Sequence, residues 1–367
     1  HIRNANFISL FCQQFLQNLK KDFFFNSACC IILSEINMKE RILTGIKPTG
    51  IPHLGNYFGA IKPAIELSEN PDYDSLYFIA DYHALNIIKN KDDFKKYTYI
   101  IAATWLACGL NPEKVIFYKQ SDLPEVFELN WIISNVTAKG LLNRAHAYKA
   151  CVEKNLECGN DPDFGVNMGL YNYPVLMAAD ILIMNSNRVP IGQDQKQHLE
   201  IARDIATAFN STYGNCFTLP QDYISETLGT LPGLDGRKMS KSYGNTITLF
   251  DDENVLKKQI NKIVTDSRMP GEPKDTNCTL FQIYSLFANE EQKKEMQEKF
   301  ENGIGWGEAK KQTFELINSY LSPMREKFNY YMSNTKLIDE ILENGAQRAK
   351  LIATRTLEKV RKLIGKI

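Results

Sequence analysis

From Arg41 onward the sequence alternates short apolar runs with amphipathic segments of helical period, and this alternation constrains the fold more than any other feature. Runs at 42–46, 75–81, 114–119 and 188–191 have strand length, and helical stretches at 56–68, 92–108, 124–136, 173–184 and 193–209 separate them. Strands joined through helices lie parallel, because the chain must cross back over the sheet before the next strand begins. The expected fold is therefore α/β: a Rossmann-like doubly wound parallel sheet, whose ligands bind beyond the carboxyl ends of its strands. After Phe250 the strand signal stops. Helical periodicity at 308–320 and 337–364, separated by Asn, Ser and Pro breaks, predicts a C-terminal all-helical domain. The expected division places a sheet domain at 38–250 and the helical domain at 251–367.

Residues 1–37 do not continue this pattern. They are rich in Phe, Asn, Ile and Cys, carry only Asp22 and Glu35 as acids, and end just before Met38-Lys39-Glu40-Arg41. Sparse acids suit an organellar targeting segment, but the richness in arginine and serine expected of one is missing. The segment reads as an extension upstream of a natural start at Met38, disordered or non-native, and outside the fold. Composition narrows the remainder. Lys plus Arg and Asp plus Glu both number 43, so any polyanion must be met by a local patch rather than by net charge. Such a patch exists at the C-terminus, where residues 348–367 hold 7 basic side chains against the single Glu358. The 8 cysteines form neither a Cys-x-x-Cys pair nor a Cys/His cluster at zinc spacing, which indicates neither a structural metal nor a disulfide framework and fits a reducing compartment. No apolar run reaches 18 residues, so no membrane span is expected.

Three stretches carry chemistry. Lys238-Met239-Ser240-Lys241-Ser242 lies between Gly233, Gly236 and Gly244. Two lysines on a glycine-flanked loop suit a reaction that develops charge on a triphosphate. Upstream, His53-Leu54-Gly55-Asn56 follows the first strand through a Gly/Pro turn and opens a helix, whose free N–H groups would receive a phosphate. In the third stretch, Tyr173, Met177, Asp180 and Met184 are spaced i, i+4, i+7 and i+11 and share one helix face. An aspartate on an apolar stripe needs a donor, and a flat apolar ligand with a single N–H, an indole, would supply it.

These residues carry a resemblance. His53-Leu54-Gly55-Asn56 is similar to the HIGH motif of class I aminoacyl-tRNA synthetases and precedes the KMSKS motif in that family's order. The run from Tyr173 to Leu182, followed by Val189-Pro190-Ile191-Gly192-Gln193-Asp194-Gln195-Lys196-Gln197-His198, resembles the tryptophanyl-tRNA synthetases of bacterial type over residues 40–365. In that family the aspartate matching Asp180 reads the indole N–H. The related tyrosine enzymes carry glutamine where this chain has Met177; a phenol donates and accepts whereas an indole only donates, so an apolar neighbour favours tryptophan.

The resemblance implies further roles. Tyr173 and Gln195 match residues that hold the amino group of tryptophan, while Gly45, His83, Val189 and Ile191 match its pocket wall. Lys47, His53, Gly55, Asn56, Gly192, Asp194 and the loop residues Lys238, Met239, Ser240 and Lys241 match the ATP site. Lys238, Lys241 and Lys149 match lysines that act on the triphosphate. Lys47, Tyr82, Gln193 and His53 depart from the commonest bacterial residues. The implied activity is ATP-dependent, AMP-forming tryptophan activation followed by transfer to tRNA(Trp), with Mg²⁺ carried by ATP, no tightly bound cofactor and no protein metal site. A homodimer joined around 126–148, a helical anticodon-binding region and a cytoplasmic location are also implied; an organellar one applies if residues 1–37 are a targeting segment. A tyrosine-specific synthetase, a small-molecule adenylyltransferase and a non-catalytic tRNA-binding paralogue are the competing readings.

Overall fold

The structure is a computed structural model, and it describes residues 39–192, 195–223 and 231–366. The extension expected at 1–37 lies outside the described residues. Five strands, β1 (Glu40–Ile46), β2 (Tyr73–Ile79), β3 (Ile116–Lys119), β4 (Arg188–Pro190) and β5 (Gln221–Tyr223), form one sheet in the order β3-β2-β1-β4-β5. The pairings of β2 with β3, β1 with β4 and β4 with β5 are parallel. This is the doubly wound order, and its direction reverses between β1 and β4. The three-residue β5 was not anticipated. Gln-Asp-Tyr offers no apolar alternation, and the strand is fixed instead by Arg203, which bonds to the Pro220 carbonyl at 2.6 Å and to Asp222 at 2.9 Å.

Helices cover both faces. Leu54–Asn56 (α1) passes through a π-helical turn at Tyr57–Ile61 into α2 (Lys62–Ser68), where the sequence predicted one unbroken helix. The short Asp81–Ala84 (α3) leads to α4 (Lys91–Ala107), which Asn90 caps by accepting the backbone N–H groups of Asp92 and Asp93. Beyond β3 follow α5 (Pro124–Ser134), α6 (Lys139–Leu142), α7 (His146–Glu157), α8 (Met168–Ile183) and α9 (Lys196–Tyr213). The observed start of α8 precedes the expected one by a turn. The Asn167 side chain caps it by accepting from the Leu170 N–H at 2.9 Å, so Pro174 sits inside the helix rather than at its start.

The C-terminal part is helical, with α10 (Glu253–Asn261), α11 (Thr279–Ser285), α12 (Glu290–Glu301), α13 (Trp306–Ser333) and α14 (Thr335–Leu363). From Arg41 on the chain packs as one compact unit. A single buried cluster runs from Leu54, Tyr77 and Trp105 through Ile247 and Leu256 to Phe300, Ile317 and Leu342, without a break at residue 250. The last helix reaches the sheet itself. A Cβ on Gly345 would lie 1.7 Å from the Phe117 carbonyl oxygen, so α14 crosses β3 backbone to backbone. Nearby, Arg348 donates to the carbonyls of Pro112 at 2.9 Å and Val115 at 3.2 Å. At its end Arg361 forks onto Glu128 of α5, and Lys366 joins at 3.3 Å. The hydrogen bond from Arg361 is the main reason the Glu128 carboxyl is held down to about 2.

Candidate active site

Apart from those on α7, on α8 and in the lysine loop, the expected site residues fall at or beyond the carboxyl ends of β1, β2 and β4, on both sides of the point where strand order reverses. The nucleotide turn follows β1. His53 caps α1 reciprocally: its Nδ1 accepts the Gly55 N–H at 3.1 Å, and the Asn56 side chain accepts the His53 N–H at 3.1 Å. Burial, and then the nearby Lys241 charge, depress the His53 imidazole to about 4. It is therefore neutral at physiological pH, as an acceptor Nδ1 requires.

The lysine loop is held against this turn by backbone pairing. Leu54 donates to the Ile247 carbonyl at 2.9 Å and Leu249 donates to the Pro52 carbonyl at 3.1 Å, so His53 and Thr248 face each other as an antiparallel bridge. Gly50 adopts φ +134°, and the Nζ of Lys241 lies 3.1 Å from where a side chain there would begin. The loop is itself built around buried Asn245. Its Oδ1 accepts the Ser240 N–H at 2.8 Å, while its amide donates to Asp235 at 2.7 Å and to the Lys238 carbonyl at 3.1 Å. Met239 is the buried anchor, and Lys238 and Lys241 keep solvent contact on either side of it. Partial burial of the Lys241 ammonium nonetheless lowers its pKa from the ordinary lysine value.

The second half of the site is a buried polar cluster. The Asp180 carboxylate on α8 is 3% exposed, and both of its oxygens lie 2.9 Å from the amide nitrogen of Gln120. His83 Nε2 lies 3.0 Å from Oδ2. Burial raises the Asp180 pKa, opposed by His83 and then by Gln120. Two turns earlier on α8, the Tyr173 hydroxyl lies 2.6 Å from His198 Nε2. Phe78, stacked on Tyr118 at 5.7 Å, occupies the space that a side chain at Gly45 would need. Val189 is buried in the same core, and Met177 and Ile191 pack at its edge.

The structure thus brings together His53, Gly55, Met239 and Lys241 in one group, and His83, Tyr173 and Asp180 in another. Lys47 is exposed just past β1, Gly192 is exposed past β4, and Gln195 forms the N-cap of α9. Asp194 and Gln193 lie outside the described residues. Lys149 is not drawn to either group: it is exposed on α7 and pairs with Glu153 of its own helix at 3.6 Å. Gln120 and His198 were missed. Gln120 had a readable signal, a polar residue directly after the third strand; His198 stood at the end of a matched run but received no role. Among the described residues no group of three or more His, Cys, Asp or Glu is gathered to hold a metal.

A family model described as tRNA synthetases class I (W and Y) matches residues 35–322. The tryptophan–tRNA ligase of Neisseria meningitidis serogroup A is 52% identical over 329 residues, spanning 89% of this chain and 98% of that protein. The chain belongs to the tryptophan–tRNA ligases of the class I synthetase family. The ligase of Pseudomonas aeruginosa is 53% identical over 332 residues, 89% of this chain and 74% of its own. Among solved structures, tryptophanyl-tRNA synthetase from Campylobacter jejuni, complexed with ADP and tryptophan, superposes with a TM-score of 0.82 at 44% identity, covering 89% of this chain and 99% of that one. A tyrosyl-tRNA synthetase from Aeropyrum pernix shares the ligase fold with a TM-score of 0.61 at 19% identity.

Proposed function

We infer that the chain activates L-tryptophan with ATP, giving tryptophanyl-AMP and pyrophosphate, and transfers the tryptophanyl group to tRNA(Trp). The observation that carries this reading is the pairing of 247–249 with 52–54, which holds the lysine loop over the helix-opening turn that follows β1.

The first step needs little proton transfer by the protein. The tryptophan carboxylate is already an anion, its oxygen attacks the α-phosphorus, and the bond to the pyrophosphate oxygen breaks. Charge accumulates on the leaving phosphates, where Lys238 and Lys241 on their adjustable loop stabilise it. The N–H groups opening α1, expected to be free for phosphate, are already taken, Leu54 by the Ile247 carbonyl, Gly55 by His53 Nδ1 and Asn56 by the His53 carbonyl, so the charge on the phosphates falls to the lysines. Mg²⁺ belongs to the ATP complex, coordinated by phosphate oxygens and water, and contributes further charge neutralisation there. Asp180 accepts the indole N–H, and Met177 gives the ring an apolar neighbour. In the second step the terminal ribose hydroxyl of the tRNA attacks the carbonyl carbon of tryptophanyl-AMP, the bond from that carbon to the AMP phosphate oxygen breaks, and AMP and the hydroxyl proton are released.

The helices after residue 250 are proposed to receive the anticodon region, so tRNA affinity falls with salt; the basic end contributes less than its charge suggests, because Arg348, Arg361 and Lys366 are engaged with backbone carbonyls and Glu128. A homodimer is proposed through α5 and its surroundings. Trp131 on α5, within 126–148, is 72% exposed, a large apolar side chain that favours being covered. Light scattering that gives one chain's mass at micromolar concentration refutes the dimer. No helix among the described residues is long and apolar enough to cross a membrane, and a cytoplasmic location is the proposal.

The deciding experiment is amino-acid-dependent exchange of labelled pyrophosphate into ATP, with tryptophan and tyrosine in parallel. Exchange with tryptophan alone supports the assignment; exchange with tyrosine alone keeps the fold and overturns the pocket. Asp180→Ala is expected to lose about 2–4 kcal/mol of tryptophan kcat/KM, and an unchanged value removes Asp180 from the pocket.

A further inference from the structure

Gln120 received no role from the sequence, yet it is fully buried and every polar atom of its side chain is engaged around Asp180. Its Oε1 accepts the His83 backbone N–H at 3.3 Å. That bond fixes which end of the amide faces Asp180, because the flipped amide would set an N–H against an N–H and a carbonyl against the carboxylate. The Nε2 then bridges both carboxylate oxygens at 2.9 Å, and His83 Nε2 meets only Oδ2, at 3.0 Å. Among the described residues Oδ2 thus has two partners and Oδ1 has one. Since a carboxylate oxygen accepts two hydrogen bonds, Oδ1 keeps an open acceptor direction.

We propose that Gln120, locked by His83, is a positioning residue that keeps Asp180 ionised and turns Oδ1 alone toward the indole N–H, so that recognition of that N–H depends on Gln120 as much as on Asp180. The proposal rests on the tryptophan reading above and names the residues that set its selectivity. A buried carboxylate without donors takes up a proton more readily, and a protonated or rotated carboxyl no longer presents a fixed acceptor. The titratable groups facing Asp180 are His83, which supports its charge, and Tyr118 on β3, whose own ionisation is opposed by burial and by Asp180. Gln120 is the neutral donor that contacts both oxygens.

The test compares tryptophan with its sulfur isostere, β-(benzothiophen-3-yl)alanine, in the pyrophosphate exchange assay. The isostere matches the ring in shape but has no N–H to donate. The wild-type protein should favour tryptophan by about 10- to 100-fold in kcat/KM. Gln120→Met should bring that ratio to within about threefold of unity by raising the tryptophan KM, with the ATP KM unchanged within about twofold. A Gln120→Met protein that keeps the wild-type ratio overturns the proposal, and so does one in which both KM values rise together. Gln120→Glu guards against misfolding. Its carboxyl, beside Asp180, is protonated and donating at the acid end of the range and becomes a repelling anion at the alkaline end. Its tryptophan KM should approach the wild-type value near pH 6 and rise at least tenfold by pH 9; a flat profile refutes the role. A wild-type protein that exchanges with tyrosine and not with tryptophan refutes the underlying reading instead, so the two failures are distinguishable.

Discussion

Gly345→Ala adds one methyl group to α14 where the helix crosses β3. The new carbon would stand 1.7 Å from the Phe117 carbonyl oxygen, 2.5 Å from its carbon and 3.0 Å from its nitrogen. An ordinary contact begins near 3.4 Å, so the helix must lift by up to about 1.7 Å. Strand backbone held in a sheet cannot swing aside as a side chain would. Lifting loosens the buried face formed by Leu342, Ala346, Ala349 and Ala353, and overpacking of this kind costs about 1–3 kcal/mol or more. Alanine returns about 1 kcal/mol of helix propensity. Because the clash is with backbone, the upper part of that range applies, and the net expectation is a loss of about 2 kcal/mol, read as a fall of a few degrees in Tm. Gly307→Ala on α13 is the matched control. Nothing lies within 4 Å of the added carbon there, so that variant should be neutral or stabilised by up to about 1 kcal/mol. Scanning calorimetry of the two variants decides. If Gly345→Ala matches the control, α14 does not approach β3 as closely as the argument requires.

Lys241→Ala should lower the adenylation rate about 10²- to 10³-fold with the tryptophan KM changed less than about threefold; stopped-flow measurement showing weakened tryptophan binding and an intact rate would contradict the loop's role. Asn245→Ala strips partners from the Ser240 N–H, the Lys238 carbonyl and Asp235. It should raise the ATP KM at least tenfold and speed proteolytic cleavage within 238–244, which mass spectrometry of a limited digest reads directly. His53 makes a pH prediction. Its native pKa of about 4 lies below the ordinary 6.5, so as pH falls below 6.5 the unfolded chain takes up a proton that the native site refuses. Stability present above pH 6.5 is lost progressively toward pH 4. His53→Thr should flatten that acid limb in denaturation curves collected between pH 7 and 4, and an unchanged slope would show that another group causes it.

The parallel sheet was legible because β1 to β4 are apolar runs whose lengths and separations leave few alternatives. The short β5 was not, since arginine bonds from a neighbouring helix rather than side-chain burial define it. The break into a π-turn after Asn56 was also hidden, because Tyr57, Phe58 and Ile61 are buried and fit an α-helical stripe equally well. At the site, periodicity gave the face shared by Tyr173, Met177 and Asp180. It could not give Gln120, which meets Asp180 from 60 positions away across the sheet. Lys149 illustrates the reverse: a matching residue type at a plausible place in the order, seated in an ion pair on the outside of its own helix.

The crossing of α14 over β3 also bears on the order in which the molecule can be made. Val115 and Arg348 are 233 positions apart, and the ribosome supplies the earlier partner long before the later one. Until the last helix emerges, the backbone of β3 at Phe117 lacks its cover, and Glu128 lacks Arg361. Contacts of such sequence separation carry a high loop-closure entropy and form late. A chain stalled or truncated before Arg348 therefore presents an edge strand ready to pair with another copy. Completion of the C-terminus is what ends the nascent sheet's exposure to aggregation.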